Sequence, residues 1–503
     1  MPFKQTMSRT WSSIQKAFGS FDVQAGSSIE PNSITSWQEW SGVSCFSLLF
    51  FCWGLAYGLL DVMNYHIKVT MSIDRASAAL LALTYYSAYV PGSLCIGGPL
   101  VRKYGYRFAA VVGLLFLGIG DQIMSIGAAR LQFSMMCFGH FVVGIGVSGL
   151  ESTANPYTVN VGRRKGATFR ILFGQSMAAF GTVIAPLLAN AVIFDATKAE
   201  IAPLVDPKQP GRCLMPPPPS QSEAGNLHTV ISFYRWLGCG IFALAFALAI
   251  LFFRTKLVVE PVVSESPKLE QSAWKFWKHP LCSRRYTRFW YGVVANFFNL
   301  GCQVTVAKFF IEHMRVNACN SDKQAAQNMV WAQVLFMVGR LVAAALVMVP
   351  ALPLVKNSRI MKGIFKGRII LACYLAGAVA FTGVGVGAKG QAAVAFACMI
   401  MFAESPSFPM IFETATTELG QWTSTAESIT ITSICGGGIL PVVMGKLVDR
   451  VGISTAWILP TICFTVVWSF PLNCNLVPSF KHGIDSAHGE EGDKQEAEME
   501  RAG

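Results

Sequence analysis

From about residue 43 to residue 472 the chain alternates between long apolar runs and polar connections, every second one basic. Each run is near the roughly 20 residues that a helix needs to cross a bilayer. Twelve membrane spans are predicted, over 43–66, 77–98, 107–128, 131–155, 167–194, 227–253, 286–313, 325–350, 367–388, 391–416, 425–446 and 454–472. Three hydrophilic segments interrupt the pattern. Residues 195–226, with the run Pro216 to Pro219, read as an external loop, and residues 254–285 as the longest cytoplasmic connection. The tail beyond Lys481 is rich in Glu and Ser, has no apolar face, and is expected to be disordered. The organisation read from this is a tail (1–42), a six-helix bundle (43–253), a linker (254–285), a second six-helix bundle (286–472) and a second tail (473–503).

Composition agrees with the spans. Of 503 residues, 53% are hydrophobic and 14% are charged, against about 25% charged in soluble domains. Several soluble domains would fit this length, but their polar faces are missing. The net charge of +12 raises nucleic-acid binding. Its placement argues against it: the basic residues cluster at Arg102, Lys103 and Arg107; Arg163 to Lys165; Lys275 to Arg288; and Lys356 to Arg368. These are alternate connections, the pattern of cytoplasmic loops, so both termini are expected in the cytoplasm. The first forty residues hold no apolar segment of a cleavable signal, which leaves the first span as the targeting signal. Most of the 14 Cys lie inside apolar runs and read as small core residues. Cys213 and Cys319 both fall in connections predicted to be external, where a disulfide between them is open.

Ionisable groups inside spans carry the functional signal, because an Asp at the centre of a membrane helix costs about 3 kcal/mol. They are Asp61, Asp121, His140, Glu151, Lys308, Arg340, Glu404 and Glu413. Asp61 lies near the external end of the first span, and Glu151 in Gly149-Leu150-Glu151-Ser152-Thr153-Ala154-Asn155-Pro156. Small residues there let helices approach closely, and Pro156 frees a backbone carbonyl. Two buried carboxyls in one bundle suit proton coupling, since burial favours the neutral form of such a group. Asp121 and His140 read as structural, Glu413 as solvated near a helix end, and Arg340 as a gating or structural tie at the cytoplasmic face. No nucleophile–base pair, metal cluster or phosphate loop is present, so neither an enzymatic activity nor a cofactor is expected.

Trp53-Gly54 with Asp61 and Asn64, Gly105-Tyr106, and Leu150 to Tyr157 with Gly162 resemble the L-fucose permease group of the major facilitator superfamily. So do Arg170, Gln175 and Gly181, then Gly301-Cys302-Gln303, Gly339-Arg340, Phe408-Pro409 with Ile411-Phe412, Leu419-Gly420, and Gly436 to Ile439 with Pro441 and Gly445. The resemblance runs in order over roughly residues 45–470. It implies an all-α fold of twelve transmembrane helices in two six-helix bundles, alternating access, and proton-coupled uptake of a hexose. It assigns proton coupling and sugar recognition to Asp61 and Glu151, and a cavity position to Gln303. Tyr57, Asn155 and Gln175 join these as candidate sugar contacts, and Gly98, Arg102 and Arg340 as gating or structural residues. Where the fucose permeases have two Asn before the first-span Asp, this chain has Tyr57 and Gly58; the Asn that follows their fifth-span Gln is Ala178 here. L-Fucose is therefore not singled out over galactose or glucose. Lys308 and Glu404, on spans that the pseudo-symmetry relates to the first and fourth, form a candidate charge pair across the cavity wall. The expected protein is a monomeric secondary transporter of the plasma membrane. An uncoupled facilitator, a carrier of another polar solute, and a non-transporting nutrient receptor are the alternatives.

Overall fold

A computed structural model describes residues 35–70, 75–162, 166–193, 204–205, 213–214, 227–254, 258–259, 286–352, 358–480 and 484. The basic clusters at Arg163–Lys165 and Lys275–Arg285, Lys356, the Pro216–Pro219 run, most of both tails and nearly all of the linker lie outside them. The described chain is helical apart from a two-stranded antiparallel ladder, β1 (Leu204–Val205) with β2 (Cys213–Leu214).

Among the described residues, eleven segments are long and apolar enough to cross a membrane. One of them, Leu80–Ala129, is 50 residues long and corresponds to two of the predicted spans. Its break is at Gly105, where φ is 80° and ψ is 174°, a conformation that glycine adopts readily and other residues resist.

Among the described residues, the helices of ten or more residues are α1 (Ser36–Thr70), α2 (Arg75–Ser87), α3 (Gly98–Ala129), α4 (Phe133–Asn160), α5 (Ala167–Ile193), α6 (Leu227–Arg254), α7 (Thr287–Ala318) and α8 (Asp322–Met348). There follow α9 (Gly367–Gly385), α10 (Gly390–Glu404), α11 (Ser407–Thr416), α12 (Thr423–Thr432), α13 (Gly436–Val451) and α14 (Ile458–Leu476). Between α2 and α3 the chain passes through Tyr89–Pro91 and a π-helical turn, Gly92–Gly97. The predicted span 391–416 is split into α10 and α11 before Ser407, where Pro406 has no N–H to continue the ladder. Likewise, 425–446 is divided at Ser433–Cys435, ahead of the glycine run Gly436–Gly438, and extends to Val451.

The first helix begins at Ser36, seven residues before the apolar run. Thr35 and Gln38 form a reciprocal cap, with the Thr35 N–H donating to Gln38 Oε1 at 3.1 Å and the Gln38 N–H to Thr35 Oγ1 at 3.4 Å. Arg170 Nη1 then holds Glu39 Oε1 at 2.8 Å, and Trp40 packs edge-on against Phe169 and Phe173. Hydropathy alone does not register these contacts.

Packing follows the small residues, as in other membrane bundles. A Cβ on Gly54 of α1 would lie 1.8 Å from the Ala178 carbonyl oxygen of α5, and one on Gly181 would lie 2.5 Å from the Phe51 oxygen. Gly58 faces Thr182 and Ala185 in the same way. The positions at which this chain departs from the fucose permeases, Gly58 and Ala178, thus serve a close α1–α5 seam.

At the end of the bundle that carries the basic connections, first-half helices meet second-half helices. Ser93 Oγ donates to the Ser428 carbonyl at 2.7 Å, and Asn160 Nδ2 to Glu427 Oε1 at 2.9 Å. Gly98 is pressed against Ser428 Oγ so closely that a Cβ would lie 2.2 Å away, beside Arg102. At the opposite end a disulfide joins Cys213 of β2 to Cys319, the left-handed cap of α7.

Glu413 corrects the sequence reading. It is buried rather than solvated, because the hydroxyl of Thr417 turns back toward its carboxylate and Arg288 lies close by.

Candidate functional site

The site is built outward from Glu151, in the second half of α4. Close approach to the neighbouring helix decides its surroundings. A Cβ on Gly144 would meet the Tyr85 carbonyl oxygen at 2.3 Å, and one on Gly92 would meet Ser148 Oγ at 1.9 Å. With the backbones this near, Tyr89 reaches Glu151, and its Oη donates to Glu151 Oε1 at 2.8 Å. Trp53 Nε1 of α1 donates in turn to Tyr89 Oη at 3.3 Å. The rings of Trp53, Tyr57, Tyr85, Tyr86 and Tyr89 form one aromatic cluster above the carboxylate. Tyr86 packs on Gly437 and Gly438 of α13, where a Cβ would sit 2.8 and 3.0 Å from its side chain.

From the other carboxylate oxygen the network runs into the second half. Asn155, one turn along α4, donates from Nδ2 to Glu151 Oε2 at 3.5 Å. Gln175 of α5 donates from Nε2 to Asn155 Oδ1 at 2.7 Å. Arg340 of α8 donates from Nη1 to Gln175 Oε1 at 3.1 Å and to the Gln175 carbonyl at 2.6 Å. Its Nε donates to the Ser405 carbonyl at 2.7 Å, just past the end of α10. The guanidinium also lies over the Phe336 ring, 4.4 Å from the centroid. Glu151, Asn155, Gln175, Arg340 and Glu404 are each no more than 1% exposed. The carboxyls of Glu151 and Glu404 and the phenol of Tyr57 all act on the Arg340 charge.

Such an arrangement can bind a polar, uncharged solute and hold a proton. Aromatic faces with a few fixed donors and acceptors are the usual furniture of a small-molecule site. A buried guanidinium lets buried carboxylates persist, at a desolvation cost that pairing offsets.

Of the residues named from the sequence, the structure brings Tyr57, Glu151, Asn155, Gln175, Arg340 and Glu404 together. Gln303 is buried on α7, beside Cys302, on which Glu404 acts. Lys308 is half-buried further along the same helix. Gly98 and Arg102 lie at the basic end, at the α3–α12 contact. Arg340 lies deep in the bundle, eight residues before the end of α8. Asp61 is on α1, but its side chain lies outside the described residues. His140 bonds within its own helix, Nδ1 to the Met136 carbonyl at 3.3 Å, and Asp121 sits near Tyr234 on the far side of the first half.

Sequence reasoning missed Tyr89, Ser93, Ser405 and the Asn160–Glu427 bond. The signal for the first was present: Tyr85, Tyr86 and Tyr89 fall in the middle of a span, whereas membrane tyrosines favour the interfaces. Ser405 acts through its backbone, which no side-chain pattern reveals.

Comparison with known proteins gives this geometry its setting. The family model of the Major Facilitator Superfamily matches residues 45–440. A glucose/galactose transporter of Brucella abortus is 27% identical over 428 residues, covering 84% of this chain and 92% of that one. The L-fucose-proton symporter of Escherichia coli is 24% identical over 429 residues, covering 84% and 90%. The crystal structure of FucP in the outward conformation superposes with a TM-score of 0.66 at 22% identity, covering 86% of this chain and 97% of the other. The chain, a predominantly helical, multi-pass integral membrane protein, belongs to the major facilitator superfamily.

Proposed function

We propose that the protein is a proton-coupled symporter of a neutral monosaccharide of the L-fucose, galactose or glucose class, working by alternating access. The observation that carries this reading is the unbroken hydrogen-bonded path from Trp53 through Glu151 to Arg340 and Ser405, buried where the two halves meet. Sugar hydroxyls pair well with amide and carboxylate groups such as Gln175, Asn155 and Gln303, and sugar faces stack on aromatic rings such as Trp53 and Tyr57. The names of the relatives, a glucose/galactose transporter and an L-fucose-proton symporter, favour the same class.

In this reading Glu151 carries the proton, and Asp61 is its counterpart on α1. Protonation loosens the hold of Tyr89 and Asn155 on the carboxylate. Gly98 and Arg102 belong to the gate at the basic end, which is shut by the Ser93–Ser428 and Asn160–Glu427 bonds. The two units that rock against each other are residues 43–253 and 286–472, joined by the linker 254–285.

The protein acts as a monomer in the plasma membrane with both termini in the cytoplasm. Disulfides persist in oxidising compartments, so the Cys213–Cys319 bond favours an external face at that end. The opposite, basic end is then cytoplasmic, in line with the positive-inside rule.

The test is uptake of labelled L-fucose, D-galactose and D-glucose into proteoliposomes, with and without an inward proton gradient. Accumulation of one sugar above equilibrium, dependent on the gradient, is expected. Entry of none of them under either condition would overturn the assignment of substrate class.

A further inference from the structure

Glu404 is a second buried carboxyl that this transport scheme leaves without a task. It ends α10, is 1% exposed, and neither of its oxygens has a hydrogen-bond partner among the described residues. An ionised carboxylate in that position is costly unless a cation compensates it. The helices packed against α10 are α7, α8 and α9. Their titratable groups near this level are Cys302 and Lys308 on α7, Arg340 on α8 and Tyr374 on α9. The charge that acts on Glu404 is that of Arg340, and Glu404 in turn acts on Cys302. Tyr374 stacks on Phe402 and donates to the Gly339 carbonyl at 3.0 Å.

Arg340, bonded to the carbonyl of Ser405 beside Glu404 and linked through Gln175 and Asn155 to Glu151, lies within electrostatic reach of both carboxyls. Its own hydrogen bonds go to neither. They go to Gln175 and to the Ser405 carbonyl, which fix the guanidinium between the halves and leave it able to compensate either side. One positive charge balances one carboxylate, and the interior resists a net charge. The trio is neutral only when one of its two carboxyls holds a proton.

We propose that Glu404 is a further coupling carboxyl: it and Glu151 share the compensating charge of Arg340, so that one proton is bound to the pair and travels with the sugar. The proton enters on the carboxyl that faces the open side, and leaves to water when the other side opens. The inference rests on the symport reading above and adds a residue of the second half to it.

Charge counting sets the outcome of the test. With Glu404→Gln, Arg340 and Glu151 already balance and no proton is needed. Sugar exchange then continues while coupling is lost. Wild type, Glu404→Gln, Glu404→Asp and the double variant Glu151→Gln/Glu404→Gln are reconstituted into proteoliposomes. Sugar counterflow is measured at equal pH on both sides, and sugar-driven proton movement is followed with an entrapped pH dye. Glu404→Gln is expected to keep counterflow within about threefold of wild type while its proton-to-sugar ratio falls at least tenfold. Glu404→Asp restores the ratio, and the double variant, with Arg340 uncompensated, loses counterflow as well. A Glu404→Gln protein with the wild-type ratio would overturn the inference and leave the symport reading standing. A Glu404→Gln protein without counterflow overturns it too if Glu404→Asp also lacks counterflow, since the role is then structural. A wild-type protein that moves sugar without protons would refute the symport reading itself.

Discussion

The closure at the basic end gives a prediction whose size can be worked from two bonds. Ser93 Oγ to the Ser428 carbonyl is a neutral hydrogen bond, and Asn160 Nδ2 to Glu427 Oε1 ends on a carboxylate. Both join helices of opposite halves, so they exist only while this end is shut. In the double variant Ser93→Ala/Asn160→Ala each lost bond shifts the equilibrium by its full worth, because neither is made in the open state. Buried bonds of these two kinds contribute about 1 and about 1.5–3 kcal/mol in soluble proteins. Side-chain bonds between membrane helices average about 0.6 kcal/mol. The combined loss therefore lies between about 1.2 and 4 kcal/mol, which raises the open population between roughly sevenfold and several hundredfold. Hydrogen exchange read by mass spectrometry checks this without labels. Peptides covering 153–162 and 420–432 should exchange faster by at least about sevenfold, while those in α9 and α14 stay unchanged. Exchange that is unaltered at the basic end, or that rises equally everywhere, would refute the closure argument; the latter outcome would mean general destabilisation.

Three further outcomes follow from the same network. Tyr89→Phe removes one donor to Glu151 and keeps the ring, a loss of roughly 1.5–3 kcal/mol; gradient-driven sugar accumulation should fall at least tenfold, measured by initial rates in proteoliposomes. Arg340→Lys keeps the charge but cannot span both Gln175 and Ser405 as the forked guanidinium does. Its transport should fall by about two orders of magnitude, with a lower melting temperature in detergent than wild type. Cys213→Ser breaks the tie between the β1–β2 ladder and the end of α7. A gel shift after thiol labelling should report two newly reactive cysteines on reduction of wild type, and one reactive Cys319 in the variant without reduction.

How much of this was legible in the sequence depends on what each feature is made of. The spans were legible because backbone groups in lipid must be satisfied internally, which forces long apolar helices. The break at Gly105 lay inside a basic connection and so caused no error, whereas Pro406 and Gly436–Gly438 interrupt spans that hydropathy reads as continuous. The octapeptide that ends at Gly105, Gly98-Pro-Leu-Val-Arg-Lys-Tyr-Gly, has a counterpart in Gly445-Lys-Leu-Val-Asp-Arg-Val-Gly452. The two closing glycines share nearly the same backbone, with φ of 80° and 79°. That internal repeat sits at opposite ends of the bundle, and the span pattern alone does not point to it. Glu151 and Arg340 were legible as ionisable groups out of place in lipid, and Asn155 and Gln175 through the family resemblance. Their order as a chain was not, because it depends on the α4–α5 and α5–α8 contacts and on two backbone carbonyls, of Gln175 and Ser405. The seam formed by Gly54, Gly58, Ala178 and Gly181 shows why a departure from a family motif can be a packing choice rather than a change of chemistry.

The central claim is that Glu151 couples sugar movement to a proton, and one recording tests it most directly. Wild type and Glu151→Gln are reconstituted with the sugar that proves to be transported, and sugar-evoked current is measured on a supported membrane at equal pH. Wild type should give a transient inward positive current on sugar addition, and Glu151→Gln should give none while retaining sugar binding. A current of wild-type size in Glu151→Gln would contradict the account, as would sugar uptake by wild type with no accompanying charge movement.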